Sequence, residues 1–584
     1  MVEKEVAVAE QADGRRDARH HHRNSALVVS ISGAHASVAA KMSDFTAEEG
    51  QLWSIGELVA IYGAKSRVIC LVQDMASMNQ RWERGVENFV QANVEILGEV
   101  TDVDGRPSFR RGVANYPALG SSVSRIRQSD FAAIYDLGHR KGSPVGQLVQ
   151  AQIPASVDIE TMLRRHFAVV GTTGVGKSSA LSILVRRAIE ERPNLRVVIL
   201  DPHNEYSNAF RAEASTVEAR RFELPFWLFQ FEEFLEVIFR GAQAPADEAD
   251  ILREAIEESR ESYSGGERAA TLIKKTYRGD DQSSDAARPY RINDVLALIE
   301  AEIGKLEPRY SRFSLRSLKA RLESISRDPN FRFMFGKAAV EAQCEFVPRS
   351  LFRISDAQKP VTILRMAGIP SDVVNASVSV LARLAFDLCV QQRGKQELLL
   401  VCEEAHRYVP ADLALGFAPA RRAIARIAKE GRKYGCYLSV VTQRPAELDP
   451  TILSQCSTVF AMRLSNAADQ AILRSAIPDN AAGALAFIAA LNNREAIAFG
   501  EAVATAMRLV FTREDETRLP RMVAEWEEGE PAVPASATDH PGLLEPITAP
   551  GYSARPAPRP VDPSFGTRDW PSSEHAVAGL RRSY

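Results

Sequence analysis

At 584 residues the chain exceeds what a single hydrophobic core can hold, so two to four domains are expected. With 45% hydrophobic and 25% charged residues, disordered and fibrous classes are excluded. The net charge of -3 lacks the overall basic signature of a protein that coats nucleic acid as a monomer, although a ring that confines its basic residues to a channel fits that balance.

Six cysteines (Cys70, Cys344, Cys389, Cys402, Cys436 and Cys456) lie far apart without ligand spacing, which reads as a reduced, cytoplasmic protein with no metal held by cysteine. The first 24 residues are charged and polar, unlike a signal peptide. No apolar run approaches the roughly 20 residues needed to span a bilayer, so no membrane association is expected.

In chain order, residues 1–24 read as a disordered charged arm; the His20-His21-His22 run at its end is more simply solvated than metal-binding. Residues 25–155 have a strand-like texture. Ala26–Ser32, Glu57–Tyr62, Arg67–Val72, Val94–Val100 and Val145–Ile153 alternate β-branched with polar residues, and turn signals such as Asp104-Gly105 separate them. Short strands at this spacing predict a small β-barrel.

The texture changes at Arg164. Phe167–Val170 is a short apolar strand, Ser178–Glu191 an amphipathic helix and Arg196–Leu200 a second apolar strand. That is a βαβ unit, hence a parallel sheet with helical cover. Residues 231–350 are charged and helix-periodic, with helices expected over Asp247–Ser262, Ile292–Lys305 and Arg316–Arg327. They read as a helical subdomain inserted into an α/β core that occupies residues 156–230 and 351–512. Strands resume at Val361–Met366, Leu398–Cys402, Tyr437–Val441 and Thr458–Met462, and Ala496–Phe499 with Ala506–Phe511 reads as an edge hairpin. Residues 513–584 form a brace and a tail; ten prolines fall between Pro531 and Pro571, too many for a packed domain. The fold class is therefore α/β, a parallel-sheet core with a helical insertion, preceded by a small β-barrel.

Between the first strand and its helix, Gly171, Thr172, Thr173, Gly174, Val175, Gly176, Lys177 and Ser178 satisfy G-x-x-x-x-G-K-[ST] at every fixed position, with Ser179 following. Glycines let backbone N–H groups curl round the phosphates of a nucleotide, and the helix N-terminus adds partial positive charge. In this reading Lys177 reaches the β- and γ-phosphates of ATP and the Ser178 hydroxyl ligates Mg²⁺. Hydrolysis needs an acid near the metal and a base for water. The apolar strand Leu398–Cys402 ends in Glu403 and Glu404, placed to organise Mg²⁺ and to act as base. Gln443, at the tip of the next strand, is a candidate γ-phosphate sensor. On the helix before that strand, Arg422, Arg426, Lys429 and Lys433 share a face, which a merely solvated helix would also display. Its functional reading puts Arg432 beside a neighbouring subunit's nucleotide and Arg421, Arg422 and Arg426 on DNA.

These residues resemble the HerA family of the FtsK/HerA division of P-loop ATPases. The matching pieces are G-T-T-G-V-G-K-S, D-P-H-N-E-Y at Asp201–Tyr206, L-L-V-C-E-E-A-H ending at His406, A-K-E-G-R-K-Y-G at Ala428–Gly435, T-Q-R-P at Thr442–Pro445, S-Q-C at Ser454–Cys456 and M-R-L-S-N-A-A-D at Met462–Asp469. The resemblance implies a RecA-like core behind a HAS-barrel and a homo-hexameric ring around double-stranded DNA. ATP and Mg²⁺ would lie between subunits, and hydrolysis would drive translocation. Family roles fall on Lys177 and Ser178 for phosphate and metal, Glu404 as base, Gln443 as sensor and Arg432 as finger in trans, with Arg165 a second arginine near the neighbour's site. Arg513–Trp526 would brace an adjacent subunit. The family's acid pair is Asp-Glu, and here it is Glu403-Glu404; the longer side chain implies Mg²⁺ ligation through water.

No nuclease constellation is visible, so cutting needs a partner, as HerA relatives have in NurA-type nucleases or, in bacteria, in effectors of phage-defence pairs. The competing function is a nucleotide-gated ring that scaffolds and activates an effector without processive movement. A RecA-type recombinase is disfavoured by the separate barrel and inserted helices, and a membrane-coupled conjugation ATPase by the missing membrane segment.

Overall fold

The computed structural model describes residues 26–42, 53–63, 66–78, 88–151, 153–218, 224–263, 289–336, 352, 358–476 and 483–521. The expected N-terminal arm, the proline-rich tail and the end of the expected brace, residues 522–526, lie outside the described residues.

The first strands are β1 (Ala26–Ser32), β2 (His35–Met42), β3 (Leu58–Tyr62), β4 (Ser66–Ser77), β5 (Asn88–Val103), β6 (Arg106–Arg111) and β7 (Ser122–Arg125). They pair in the order β2-β1-β7-β3-β4-β5, and a β2–β5 pairing closes the ring while β6 hangs on β5. Strand alternation builds two apolar layers. Val59, Ile61, Val68, Cys70 and Val72 fill the barrel; Leu58, Ala60, Ile69 and Leu71 face outward and are covered by Ile134 and Phe487. Buried Arg67 fastens the helix Gln128–Ile134 to the barrel, with Nε and Nη2 donating to Asp130 and Nη1 and Nη2 to Asp102.

The second sheet contains β8 (Ser143–Leu148), β9 (Pro154–Val157), β10 (Phe167–Val170), β11 (Leu195–Asp201), β12 (Ala214–Glu218), β13 (Val361–Arg365), β14 (Glu397–Cys402), β15 (Cys436–Thr442), β16 (Thr458–Met462), β17 (Glu495–Gly500) and β18 (Met507–Phe511). Its order is β12-β13-β11-β14-β15-β10-β16-β17-β18-β8-β9. From β12 to β16 the pairing is parallel and thereafter antiparallel. β10, β11 and β13 to β16 are almost wholly buried, and their near-continuous apolar sequence follows from cover on both faces.

Two expectations are corrected here. The stretch Val145–Ile153 reads as barrel, yet β8 belongs to the second sheet, with Leu148 opposite Leu509 and Gly146 opposite Phe511. The β17–β18 hairpin is consequently interior, and β9 is the edge. One close approach permits it: a Cβ on Gly146 would stand 2.1 Å from the Val510 carbonyl oxygen, so glycine alone allows this pairing.

In the insertion, helices Phe231–Ile238, Ala246–Ser262, Ile292–Ile303 and Arg312–Arg327 direct their apolar stripes inward. Leu315, Leu318, Leu322 and Ile325 of the last helix join the same cluster as Val198 and Leu200 of β11. The helix Ser371–Gln391 revises the membrane reading. It is long and apolar enough to cross a bilayer by length and composition, but 83% of its apolar window is buried inside the protein. It also carries Arg383, whose guanidinium donates to Glu233 at 2.9 and 3.2 Å within the packed interior, a satisfied buried pair.

Candidate nucleotide site

β10 ends at Val170 and the helix Lys177–Glu191 begins seven residues on, with Gly176 as its N-cap. Ala180, Leu181, Leu184, Val185 and Ala188 bury one helix face against the sheet, so helix and strand together hold the loop rigid. Gly174 and Gly176 lie at φ 77 and 100°, where side chains are strained. At Gly171 a Cβ would meet Met462 Cβ at 2.8 Å. The loop is a backbone cradle that larger residues would fill.

Lys177 is buried and donates to the Thr172 carbonyl at 3.1 Å. Burial lowers its ammonium below the usual lysine range, against the pull of Glu404, Glu403 and Glu205. Ser178 Oγ donates to Glu205 Oε2 at 2.6 Å. Ser179 is half-buried beside it in the first helical turn.

The two glutamates after β14 differ sharply in environment. Glu403 is enclosed, and burial, with Asp201, Glu205 and Glu404 nearby, pushes its carboxyl well above the usual range. Glu404 adopts the left-handed conformation, φ 49°. That turn aims its carboxylate between His203, 3.8 Å away, and His406, 3.4 Å away. Burial works to raise Glu404, but His203, His406 and Lys177 outweigh it and hold the group below the ordinary carboxylate range. Two adjacent acids are thus driven in opposite directions, Glu403 up and Glu404 down. His406 Nδ1 lies 3.0 Å from Thr442 Oγ1, which links Glu404 to the end of β15. Gln443, the next residue, takes the Thr173 hydroxyl hydrogen on Oε1. Lys177, Ser178, Glu404 and Gln443 therefore converge on the cradle.

Arg165 and Arg432 do not. They line one cavity of about 570 Å³ together with Arg164, Arg192, Arg140 and Glu501, and no residue of the 171–179 loop lines it. Next to Arg165 in the chain and within the field of Arg432 is His166, φ 56°, whose Nδ1 accepts from the Leu438 N–H at 3.0 Å and whose ring bonds toward the carbonyls of Ala428 and Ile427. The proposed DNA residues are spread differently. Arg422 is exposed, and Arg421 donates to the Leu413 carbonyl. Arg426 lies 4.3 Å over the Phe386 ring and 3.7 Å from Asp387, so its charge is partly used within the chain.

Five residues of this site, Asp201, His203, Glu205, His406 and Arg494, have no role assigned from sequence. Asp201 accepts from the N–H groups of His203, Glu205 and Tyr206 at 3.3, 3.2 and 3.1 Å, and the turn it ties presents His203 and Glu205. The D-P-H-N-E-Y motif was visible, but its fold was not. His406 follows the glutamates directly. Arg494, φ 65°, carries no motif; its N–H donates to the Val175 carbonyl at 2.8 Å, and its Cγ stands 3.2 Å from where a Cβ of Gly176 would be.

The arrangement fits a nucleoside triphosphate. The cradle is open to backbone approach, a lysine is buried within it, and Glu403 Oε2 and Glu404 Oε2 are buried without hydrogen-bond partners. A cation arriving with the nucleotide would meet the Ser178 hydroxyl; among the described residues no group of three or more His, Cys, Asp or Glu side chains is placed to hold an ion alone.

Residues 143–385 match the family of the helicase HerA central domain. The chain is 25% identical over 454 residues to the DNA double-strand break repair helicase HerA of Pyrococcus furiosus, covering 72% of this chain and 77% of that one. It is 22% identical over 476 residues to the protein of the same name from Sulfurisphaera tokodaii, covering 78% and 84%. Among solved structures, VirB4 of Thermoanaerobacter pseudethanolicus aligns at 15% identity with a TM-score of 0.46, over 65% of this chain and 98% of that one. With the phosphate loop, the paired glutamates and the strand-tip glutamine in one site, the chain is similar to the HerA helicases over most of its length, and its residues 143–385 match their central domain.

Proposed function

We propose that this chain is an ATP-driven translocase on double-stranded DNA, working as a cytoplasmic homo-hexamer with Mg²⁺–ATP at each subunit junction. A partner nuclease or other effector acts on the DNA or on a downstream target, in end processing or phage defence. The carrying observation is the separation of Arg165 and Arg432 from the cradle. Two arginines that share a cavity apart from their own chain's phosphate loop are suited to a neighbour's nucleotide, where an arginine stabilises the charge of the transition state. Lys177, Ser178, Glu404 and Gln443 form the other half of the site.

The relatives named as DNA repair helicases support duplex DNA as the track. A chain of net charge -3 would hold that track through basic residues gathered in the ring's channel, so affinity should fall steeply with salt, at a log–log slope of about -0.9 per phosphate contact. The test titrates linear duplexes of increasing length against ATPase rate at two salt concentrations, with mass photometry to read the assembly. The rate should rise with duplex length and depend little on sequence. A rate indifferent to DNA in hexamers would reject the motor and leave a nucleotide-gated scaffold.

A further inference from the structure

We propose that Glu205 is a positioning residue for the cation that accompanies the nucleotide, acting through Ser178. The inference rests on the reading of this site as a Mg²⁺–nucleotide site and adds to it a residue that the phosphate-loop pattern does not name.

A serine hydroxyl has one hydrogen and two lone pairs. In this chain the hydrogen goes to Glu205 Oε2 at 2.6 Å, which fixes the rotor and leaves the lone pairs for a cation. Among the described residues the carboxylate bonded to Ser178 is Glu205, not Glu403 or Glu404. Glu403 is enclosed, only 3% exposed, and interacts with the Tyr206 hydroxyl rather than with Ser178. Glu404 faces His203 and His406.

Glu205 is held from three sides. Its N–H donates to buried Asp201 at 3.2 Å, its carbonyl accepts from the Arg521 N–H at 3.0 Å, and its neighbour Tyr206 is fully buried. A carboxylate fixed in this way orients the hydroxyl and adds negative charge beside the ion. Partners of this kind govern metal affinity as the ligands themselves do. The glutamate at 403 is then relieved of contact with Ser178.

The test uses the full chain with a non-hydrolysable ATP analogue and Mn²⁺ as probe, free Mn²⁺ being read by electron paramagnetic resonance. Glu205→Ala should weaken Mn²⁺ binding about 10- to 100-fold. Glu205→Gln keeps an acceptor and should lose less. Because Glu205 acts through the hydroxyl, Ser178→Ala combined with Glu205→Ala should bind Mn²⁺ within about twofold of Ser178→Ala alone. Melting curves of each variant verify folding, and Glu205→Gln serves if the alanine variant does not fold. Wild-type Mn²⁺ affinity in both Glu205 variants, or losses that multiply in the double variant, would overturn the proposal while leaving the nucleotide site intact. A wild-type chain that binds no Mn²⁺ with the analogue would overturn the reading of the site, and this proposal with it.

Discussion

Arg165 Nη1 donates to Glu501 Oε1 at 2.5 Å in a pair whose side chains are 40% and 47% exposed. The same stretch of backbone ties both residues, since the Ser457 N–H donates to the Arg165 carbonyl and the Ser457 carbonyl accepts from the Glu501 N–H. An arginine that serves a neighbour must first leave this partner. Exposed pairs are worth about 0–1 kcal/mol, so Glu501→Gln should ease assembly by no more than about fivefold in the concentration giving half-maximal ATPase. Arg165→Ala should shift it the other way. Concentration dependence unchanged in both variants would remove Arg165 from the junction.

Lys177→Ala should abolish hydrolysis, because it removes the fixed charge of the cradle while the fold survives. Glu404→Gln should still bind nucleotide but lower kcat by about 10²- to 10⁴-fold, the usual worth of a general base. Single-turnover kinetics with fluorescent nucleotide binding separates the two effects. Equal turnover in wild type and Glu404→Gln would take the base role from this residue.

Arg432→Ala should lower kcat by about 10³- to 10⁵-fold if it reaches the neighbour's nucleotide. Mixing Arg432→Ala with Glu404→Gln subunits should restore part of the activity, since some junctions then pair an intact Glu404 with an intact Arg432. Mixtures no more active than either parent would argue that both residues serve one chain.

His166 supplies a pH dependence with a definite sign. Burial pushes its imidazole down to about 4, from 6.5 in an unfolded chain. The unfolded chain therefore takes up the proton first, and stability falls as pH drops from about 6.5 to about 4, by roughly 3 kcal/mol in total. Asparagine tolerates the left-handed backbone that His166 adopts and does not titrate. His166→Asn should be less stable at neutral pH yet lose less on acidification. Thermal melts from pH 7 to 4 check this, and parallel slopes would deny that the imidazole stays neutral in the folded protein.

Much of the core could be read from sequence because its physics is local. Leu398–Cys402 is apolar throughout since both faces are covered, and the phosphate loop declares itself by glycines with φ near 77 and 100°. What escaped depends on contacts between distant residues. The sheet that β8 joins is decided by Gly146 meeting Val510, more than 360 positions away, and short alternating strands look alike in either sheet. Which acid touches Ser178 depends on the turn around Asp201, since Glu205, Glu403 and Glu404 are equivalent as letters. Arg426 reads as a free basic residue until Phe386 and Asp387 are seen beneath it. Arg494 has no pattern, because its place on the loop is set by backbone conformation.

The membership of β8 and β9 in the second sheet decides where this chain can be cut. A fragment started at residue 156, the apparent end of the barrel, would strip the antiparallel partner from Leu509 to Phe511 and leave β18 with unpaired N–H and C=O groups along an apolar strand. Such an open edge recruits other chains. A fragment begun ahead of Ser143 retains the hairpin as a built-in cap, and the interval from Ser143 onward is also where the match to the HerA central domain begins. The hairpin that looks like the last piece of the barrel is, for expression and handling of an isolated motor core, its guard against aggregation.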